Sequence, residues 1–322
     1  MNALAQRLRG LEKERYAAFA ALAALTVASS LLSPYFLQPQ NLLNILRQVS
    51  YTGIIALGMT FVIVSGGIDL SVGSMAAFVG SLAVLALNAV LGAGWPPGAA
   101  ITAAAAGALL AGLACGLANG LLVTKGRIAP FIVTLGTMAL FRSLSLYLGN
   151  AGEFRSESER FGDLGSSAPL GLPLPALALL ALAGALSLLL SRTRYGRYVR
   201  AVGSNARVAR YSAIDVDGTR LVAYALNGLM VGISAVLIAM RFNSVGTSTL
   251  GVNYELDAIA AVIIGGTAMA GGRGTIWGTV VGAITLGVIN NMLNMVGISP
   301  YLQGTVKGLV IIGAVFIQRQ RQ

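Results

Sequence analysis

Ionisable side chains interrupt otherwise apolar stretches of this chain and mark places where chemistry could occur. Asp69, in SGGIDLSVGS (65–74), follows two glycines and stands beside Ser71 and Ser74. A carboxylate there can bind an ion, relay a proton, contact or gate a polar substrate, or cap the helix that follows. Capping and substrate contact are compatible, because a break with a capped helix can also line a pathway.

Further polar residues lie near predicted membrane depth. Glu255 and Asp257 in NYELDAIAAV open a helix after a polar loop near the exterior, where capping and compensation of the helix dipole explain them. Arg142 in ALFRSLSL stands in mid-span and requires a partner carboxylate or a position near the interface. Five asparagines are expected either to form interhelical hydrogen bonds or to line a cavity suited to sugar hydroxyls: Asn119, Asn227, Asn290, Asn291 and Asn294.

Several kinds of chemistry are excluded by residues that the chain lacks. It has no histidine and one cysteine, Cys115, so it offers no His-based catalysis, no His metal ligand and no intrachain disulfide. It also lacks the G-x-x-x-x-G-K-[S/T] phosphate loop. We therefore expect no catalytic residue and no metal site, and any active transport must use an ion gradient or a separate ATPase.

The elements that position these residues are predicted to be membrane helices. Of the 322 residues 56% are hydrophobic and 10% charged, with a mean hydropathy of +0.78, whereas soluble domains carry about 25% charged residues. The sequence predicts an all-α polytopic membrane protein with one transmembrane domain, 16–317, between tails 1–15 and 318–322. The candidate spans are 16–33, 51–66, 69–91, 99–124, 129–148, 174–191, 221–240, 257–271, 275–296 and 300–317. Eight to ten of them cross, because 51–91 and 257–296 could be re-entrant.

Charge in the loops orients the spans. The segment 192–220 carries seven arginines against two aspartates, whereas 149–173 is acidic on balance. The positive-inside rule places 192–220 and both termini in the cytoplasm and 149–173 outside. The net charge of +11 is thereby explained without a nucleic-acid partner.

Two glycine-broken segments share a design. VIVSGGIDLSVGS (62–74) and VIIGGTAMAGGRGT (262–275) each join two helices through a glycine pair. Irregular backbone at membrane depth is tolerated where protein or a water-filled cavity covers it, and paired breaks favour a transporter. The predicted pathway or gate residues are Gly66, Gly67, Asp69, Ser71, Ser74, Asn119, Gly265 and Gly266. A separate glycine repeat at Gly112, Gly116 and Gly120 indicates close helix packing.

The basic loop 192–220 contains a predicted short helix, ARVARYSAI, capped by Ser204 or Asn205 and broken by Asp215 and Gly218. Such a helix, held between two spans, suits a groove on a partner protein or the headgroups of anionic membrane lipid.

Three segments resemble a known family: GMTFVIVSGGIDLSVGS (58–74), TRYGRYVRAVGSNARVARYSAIDV (193–216) and YELDAIAAVIIGGTAMAGGRGTIWGT (254–279). In type, order and spacing they are similar to the ribose-type permeases of bacterial ABC sugar importers. The resemblance implies a type II ABC importer-like bundle in the bacterial inner membrane, paired with an identical or paralogous permease. It also implies an ATPase that carries ATP and Mg, so that this chain binds no cofactor, and a sugar-binding protein that faces 149–173. The implied ATPase-coupling residues are Gly203, Ser204, Asn205, Ala206, Ala209 and Ile214.

The expected function is the translocation of ribose or a related monosaccharide. Within 192–220 the chain reads GSNARVARYSAI where relatives often have GGNEAAARLSGI. This difference affects the details of how the segment would dock on the ATPase, and not the location of the docking segment. Alternatives are an ABC permease for nucleosides, branched-chain amino acids or autoinducer-2, and an ion-coupled transporter that uses Asp69, Glu255 or Asp257. A membrane enzyme has no motif in its favour.

Overall fold

The computed structural model describes residues 19–319, which form helices joined mostly by short loops. The predicted tail 1–15 and residues 320–322 of the tail 318–322 lie outside the described residues. In chain order the elements are α1 (Phe19–Leu32), α2 (Pro39–Val64), α3 (Val72–Gly92), α4 (Pro97–Thr124), α5 (Pro130–Leu148), β1 (Glu153–Arg155), α6 (Glu159–Ser166), α7 (Leu174–Arg192), α8 (Arg194–Ser204), α9 (Ala206–Tyr211), α10 (Val216–Phe242), β2 (Ser244–Gly246), α11 (Tyr254–Ile264), α12 (Ile276–Met295) and α13 (Pro300–Arg319).

Seven helices in the described part are long and apolar enough to cross a membrane: α2, α3, α4, α5, α7, α10 and α12. The all-α polytopic class is confirmed. The predicted span 257–271 is not one continuous helix, because α11 ends at Ile264 after 11 residues and the glycine break follows. At a rise of about 1.5 Å per residue, α11 alone reaches about half the hydrocarbon thickness. The predicted span 51–66 is only the second half of α2, whose polar first half begins at Pro39.

The centre of the bundle is formed by α2 and α10. Their most apolar windows are 83% and 72% buried, against 28% for α5 at the periphery. The predicted close packing of glycines occurs between α4 and α10, where the backbones of Gly112 and Gly116 lie directly against Gly228. A side chain at any of these positions would meet backbone atoms, so glycine sets the distance between the two helices.

One end of the bundle carries α8 and α9, and we call it the inner end; the opposite end is the outer end. At the outer end β1 pairs antiparallel with β2, with Phe154 opposite Val245. Val245 is fully buried and its methyl groups lie beside Gly80 of α3. This pair of strands joins the loop after α5 to the loop after α10.

Candidate functional site

The carboxylate of Asp69 is fully buried and surrounded by hydrogen-bond donors. Its Oδ1 accepts from the backbone N–H of Ser71 at 2.9 Å and from the hydroxyl of Ser71 at 2.6 Å. Its Oδ2 accepts from Nδ2 of Asn227 on α10 at 2.9 Å. Asn119 on α4 donates to the Ser71 hydroxyl at 2.8 Å. Asp69 thereby connects the start of α3 to α4 and α10.

The expectation that Asp69 is the N-cap of the next helix is wrong in position. Helix α3 begins at Val72 and its N-cap is Ser71, whose side chain makes no capping bond. Asp69 lies two residues earlier and binds the N–H of Ser71, which is the geometry of a turn stabilised by its own side chain. The carboxylate thus supports the entry to the helix without capping it.

The same contacts bear on the pathway prediction. Asp69, Ser71 and Asn119 are each fully buried, and Ser74 is 5% exposed. No salt bridge between described residues includes Asp69. In this conformation a solute or an ion reaches the carboxylate only if it replaces donors from Ser71 or Asn227, because no surface of Asp69 is open.

The two glycine breaks meet each other at the inner end. Gly66 and Gly266 both have positive φ, of 83° and 86°, which glycine adopts without strain. The N–H of Gly272 donates to the carbonyl of Val64 at 2.8 Å. Gly203, near the C-terminus of α8, lies directly against that same carbonyl and against Gly272. Both breaks and the basic loop therefore form one contact region.

Two α10 residues fix the first break from the other side. Tyr224 donates its hydroxyl hydrogen to the carbonyl of Ile68 at 2.9 Å, and Arg220 Nε donates to the carbonyl of Ser65 at 3.4 Å. Gly67 packs against the Tyr224 hydroxyl. Carbonyls freed by the end of α2 thus find partners on α10, as buried backbone groups require.

The basic loop forms two helices where one was predicted. Asn205 is the N-cap of α9 and accepts from the N–H groups of Arg207 and Val208, as predicted for one of the two candidates. Asp215 does not break this helix; it caps α10 by accepting from Gly218. The second helix of this loop, α8, was not predicted. It is amphipathic, with Val199 and Val202 buried, but its many arginines made the segment look like a polar loop.

The predicted coupling residues fall into two groups. Gly203 lies against backbone, Ala209 is buried, and Ala206 and Ile214 are half-buried, whereas Ser204 and Asn205 are exposed. The exposed apolar residues of α9, Val208 at 55% and Tyr211 at 84% exposure, were not among the predicted coupling residues. Tyr195 of α8 stacks on Phe61 of α2, and burial raises the pKa of its hydroxyl, which donates to the carbonyl of Thr219.

Glu255 and Asp257 lie in the first turn of α11 as predicted, but neither caps it: the N-cap is Asn253, without a side-chain bond. Asp257 forms a salt bridge to Lys307 of α13 at 2.9 Å, and Glu255 lies beside Gly73 of α3. Arg142 contacts backbone: it donates to the carbonyls of Thr247 and Leu250 at 2.9 and 3.0 Å.

A polar cavity of about 450 Å³ opens between α2, α10, α11, α12 and α13. It lies toward the outer end, since α2 contributes its first half and α10 its last turn. Its polar lining residues are Asn44, Arg47, Gln48, Tyr51, Thr52, Arg241, Tyr254, Asp257, Asn290, Asn294, Gln303 and Lys307.

Asn290 and Asn294, which were predicted to line a cavity or bond between helices, line this cavity, whereas the α2 residues were not predicted. Asn44, Arg47, Gln48 and Tyr51 follow i, i+3, i+4 and i+7, the spacing of one helix face. That signal was present in the sequence. It was overlooked because the first half of α2 is too polar to resemble a span.

Comparison with known proteins gives consistent relatives. The chain is 41% identical to the ribose import permease protein RbsC of Bacillus subtilis, over 94% of this chain and 92% of that protein. It is 37% identical to the D-allose transport system permease protein AlsC of Escherichia coli, over 95% and 92%. For the L-arabinose transport system permease protein AraH of Escherichia coli the identity is 32%, over 96% and 92%. No solved structure matches.

A family profile described as "Branched-chain amino acid transport system / permease component" matches residues 41–315. The match includes both glycine breaks, α8, α9 and the outer cavity. With the seven apolar helices, it marks the chain as a multi-pass protein of the cytoplasmic membrane. Together with the near full-length relatives, it establishes that the chain belongs to this permease family.

Proposed function

We propose that this chain is the transmembrane subunit of an ATP-driven importer and forms the translocation pathway for a monosaccharide, ribose or a related sugar. The relatives named for ribose, D-allose and L-arabinose support this proposal. The structural observation that carries it is the contact of Gly203 with Val64 and Gly272. Through that contact, a displacement of α8 and α9 would reach both glycine breaks directly.

An ATPase is the partner that suits α9. Val208 and Tyr211 are exposed apolar side chains, and Arg207 and Arg210 are exposed beside them. Exposed aromatic and aliphatic residues flanked by arginine are typical of interface anchors. ATP and Mg would then bind to that ATPase, which leaves this chain without a cofactor of its own.

The remaining partners follow from the same assignment. The outer surface formed by α6, β1 and β2 would face a sugar-binding protein. A second permease, identical or paralogous, would cover part of the apolar surface, which elsewhere contacts membrane lipid. Peripheral α5 suits one of these roles, because Phe131, Ile132 and Leu140 are exposed along it.

Branched-chain amino acids are the second candidate cargo, because the matching family profile carries that description. A zwitterion needs paired opposite charges, and the outer cavity holds arginines with one carboxylate that is already bound to Lys307. The ion-coupled alternative is disfavoured at Asp257, because Lys307 already binds that carboxylate. It is disfavoured at Asp69 because three donors bind the Asp69 carboxylate.

The test is reconstitution of this permease with the ATPase and binding protein that co-purify with it. We expect uptake of labelled D-ribose, D-allose or L-arabinose into proteoliposomes only when ATP is supplied on the membrane side that carries α8 and α9. Uptake should persist when an ionophore collapses the sodium and proton gradients. Uptake without ATP that vanishes with the gradient, or uptake of L-leucine in place of every sugar, would contradict the proposal.

A further inference from the structure

Three side chains that line the outer cavity each hold a buried polar atom without a hydrogen-bond partner among the described residues: Tyr51 Oη, Arg47 Nε and Asn290 Oδ1. All three are shielded within the protein, and Tyr51 as a whole is only 6% exposed. A buried polar group without a partner loses its hydrogen bonds to water and gains none in the protein, which destabilises the fold. The three side chains line one cavity, so small side-chain rotations would bring these atoms to a ligand or ordered water there, which would supply the missing bonds.

The chemistry of these atoms selects the ligand class. Arg47 only donates, a phenol hydroxyl donates and accepts, and an amide such as Asn290 presents a donor and an acceptor. An anion accepts only and would face the amide oxygen unfavourably, whereas a metal cation needs a free carboxylate. The single lining carboxylate, Asp257, is bound to Lys307 at 2.9 Å. A neutral ring with several hydroxyls, each able to donate and accept, satisfies the whole set.

The remaining lining residues agree with this ligand. Five uncharged amides face the cavity, from Asn44, Gln48, Asn290, Asn294 and Gln303. Tyr51 and Tyr254 add aromatic surface. The volume of about 450 Å³ lies within the usual range for small-molecule sites, about 300–1,000 Å³. One sugar ring fits with bridging waters.

The position of the cavity also needs an explanation. Arg47 and Arg241 stand toward the outer end, away from the arginine-rich loop at the inner end, and so depart from the usual distribution of basic residues in membrane proteins. Polar and ionisable residues inside membrane bundles are costly and mark substrate pathways by default. The outer end is where, under the proposed function, a binding protein would release its cargo.

We propose that this outer cavity is a resting site for one neutral monosaccharide within the permease, with Tyr51, Arg47 and Asn290 as its hydrogen-bonding partners. The inference rests on the proposed function and names where within the single chain the sugar is held before it passes the inner breaks. It moves the sugar contacts away from Asp69, to the cavity between α2 and α12.

The first test removes one hydroxyl. Tyr51→Phe deletes a hydroxyl that has no partner among the described residues, so the melting temperature of the full transporter in detergent should stay the same or rise. ATP-driven uptake of D-ribose, D-allose or L-arabinose should fall about 2- to 10-fold, the value of one hydrogen bond. Tyr147→Phe is the matched control, because Tyr147 is 80% exposed on α5, and it should change neither quantity.

The second test measures occupancy. Asn44→Cys in a Cys115→Ser background should react with a small polar thiol reagent. The transported sugar should slow that reaction relative to the same buffer without sugar. The same measurement in nanodiscs of phosphatidylcholine, with and without phosphatidylglycerol, tests a lipid headgroup as occupant. Protection by phosphatidylglycerol and not by sugar would overturn the proposal.

The outcomes separate this inference from the proposed function. Wild-type uptake without dependence on ATP contradicts the proposed function. Normal ATP-driven uptake by the Tyr51→Phe transporter, or a fall in its uptake matched by a fall in melting temperature, overturns the cavity assignment alone. A selective fall in uptake at unchanged stability, with sugar protection of the cysteine at position 44, supports it.

Discussion

The two polar regions of the bundle differ in the space beside their polar residues. Each region holds buried atoms without a partner among the described residues, Asn227 Oδ1 at the inner region and Tyr51 Oη at the outer cavity. At the inner region, the Asp69 carboxylate is bound by Ser71 and Asn227, and no part of it is exposed. At the outer cavity of about 450 Å³, the lining residues Tyr51 and Arg47 hold buried atoms that lack partners among the described residues. A charge alone therefore does not mark a ligand site; unmet hydrogen-bonding capacity beside free volume does.

The difference predicts different responses to substitution. Changes at Asp69 should act on folding, because removal of its carboxylate leaves the donors of Ser71 and Asn227 behind. Changes at the unpartnered side chains of the outer cavity should act on transport with little effect on stability, unlike changes at the Asp257–Lys307 salt bridge. The predictions below are ordered by their expected effect on the free energy of unfolding.

Gly203→Leu should have the largest effect. Its side chain would collide with the backbone of Val64 and Gly272, neither of which is free to move away. Overpacking commonly costs about 1–3 kcal/mol and more against backbone. We expect loss of monodisperse protein on size-exclusion chromatography. Gly107→Leu, at a position with open space around it, is the control, and equal yields for both variants would refute the close contact.

Asp69→Leu should come next. It leaves the donors of Ser71 and Asn227 buried without an acceptor, at about 1–3 kcal/mol each. Asp69→Asn should cost about 1 kcal/mol, because Asn227 Oδ1 has no partner among residues 19–319 and can accept from the new amide after its own amide turns. Melting temperatures in detergent measure both. Equal losses for the two variants would show that charge, not hydrogen bonding, is what the site requires.

Lys307→Met should destabilise by about 1–3 kcal/mol, less than a fully buried pair, because the two side chains are 21% and 15% exposed. The lost partner leaves the Asp257 carboxylate unpaired between α11 and α13. The double variant with Asp257→Asn should recover most of the melting temperature. Failure of that rescue would mean that Lys307 acts through packing and not through the salt bridge.

Tyr211→Ala should leave stability within about 0.5 kcal/mol, as expected for an exposed side chain. Its effect should be on coupling: ATP hydrolysis by the assembled transporter should respond several-fold less to the loaded binding protein. Leu110→Ala, at 65% exposure on α4, is the matched apolar control. Unchanged stimulation in the Tyr211 variant would place the ATPase contact elsewhere.

Much of the architecture was predictable from patterns along the chain. Runs of apolar residues gave six of the spanning helices nearly to their ends. The glycine repeat predicted close helix packing, which the structure shows between α4 and α10. The errors came where apolar length misleads: α11 is too short to cross, and α2 is longer than its apolar half. The cap at Asn205 was predictable because capping depends on neighbours two and three residues away.

The sequence by itself determined the class, the breaks and the family, because hydropathy, glycine pairs and motifs are local properties of the chain. Only the tertiary structure decided what those residues contact. It enclosed Asp69 between α4 and α10, brought both breaks onto Gly203, and assembled the outer cavity from residues as distant as Tyr51 and Asn290. Hydrogen bonds and free volume depend on which helices become neighbours, and that is settled by packing across the whole bundle.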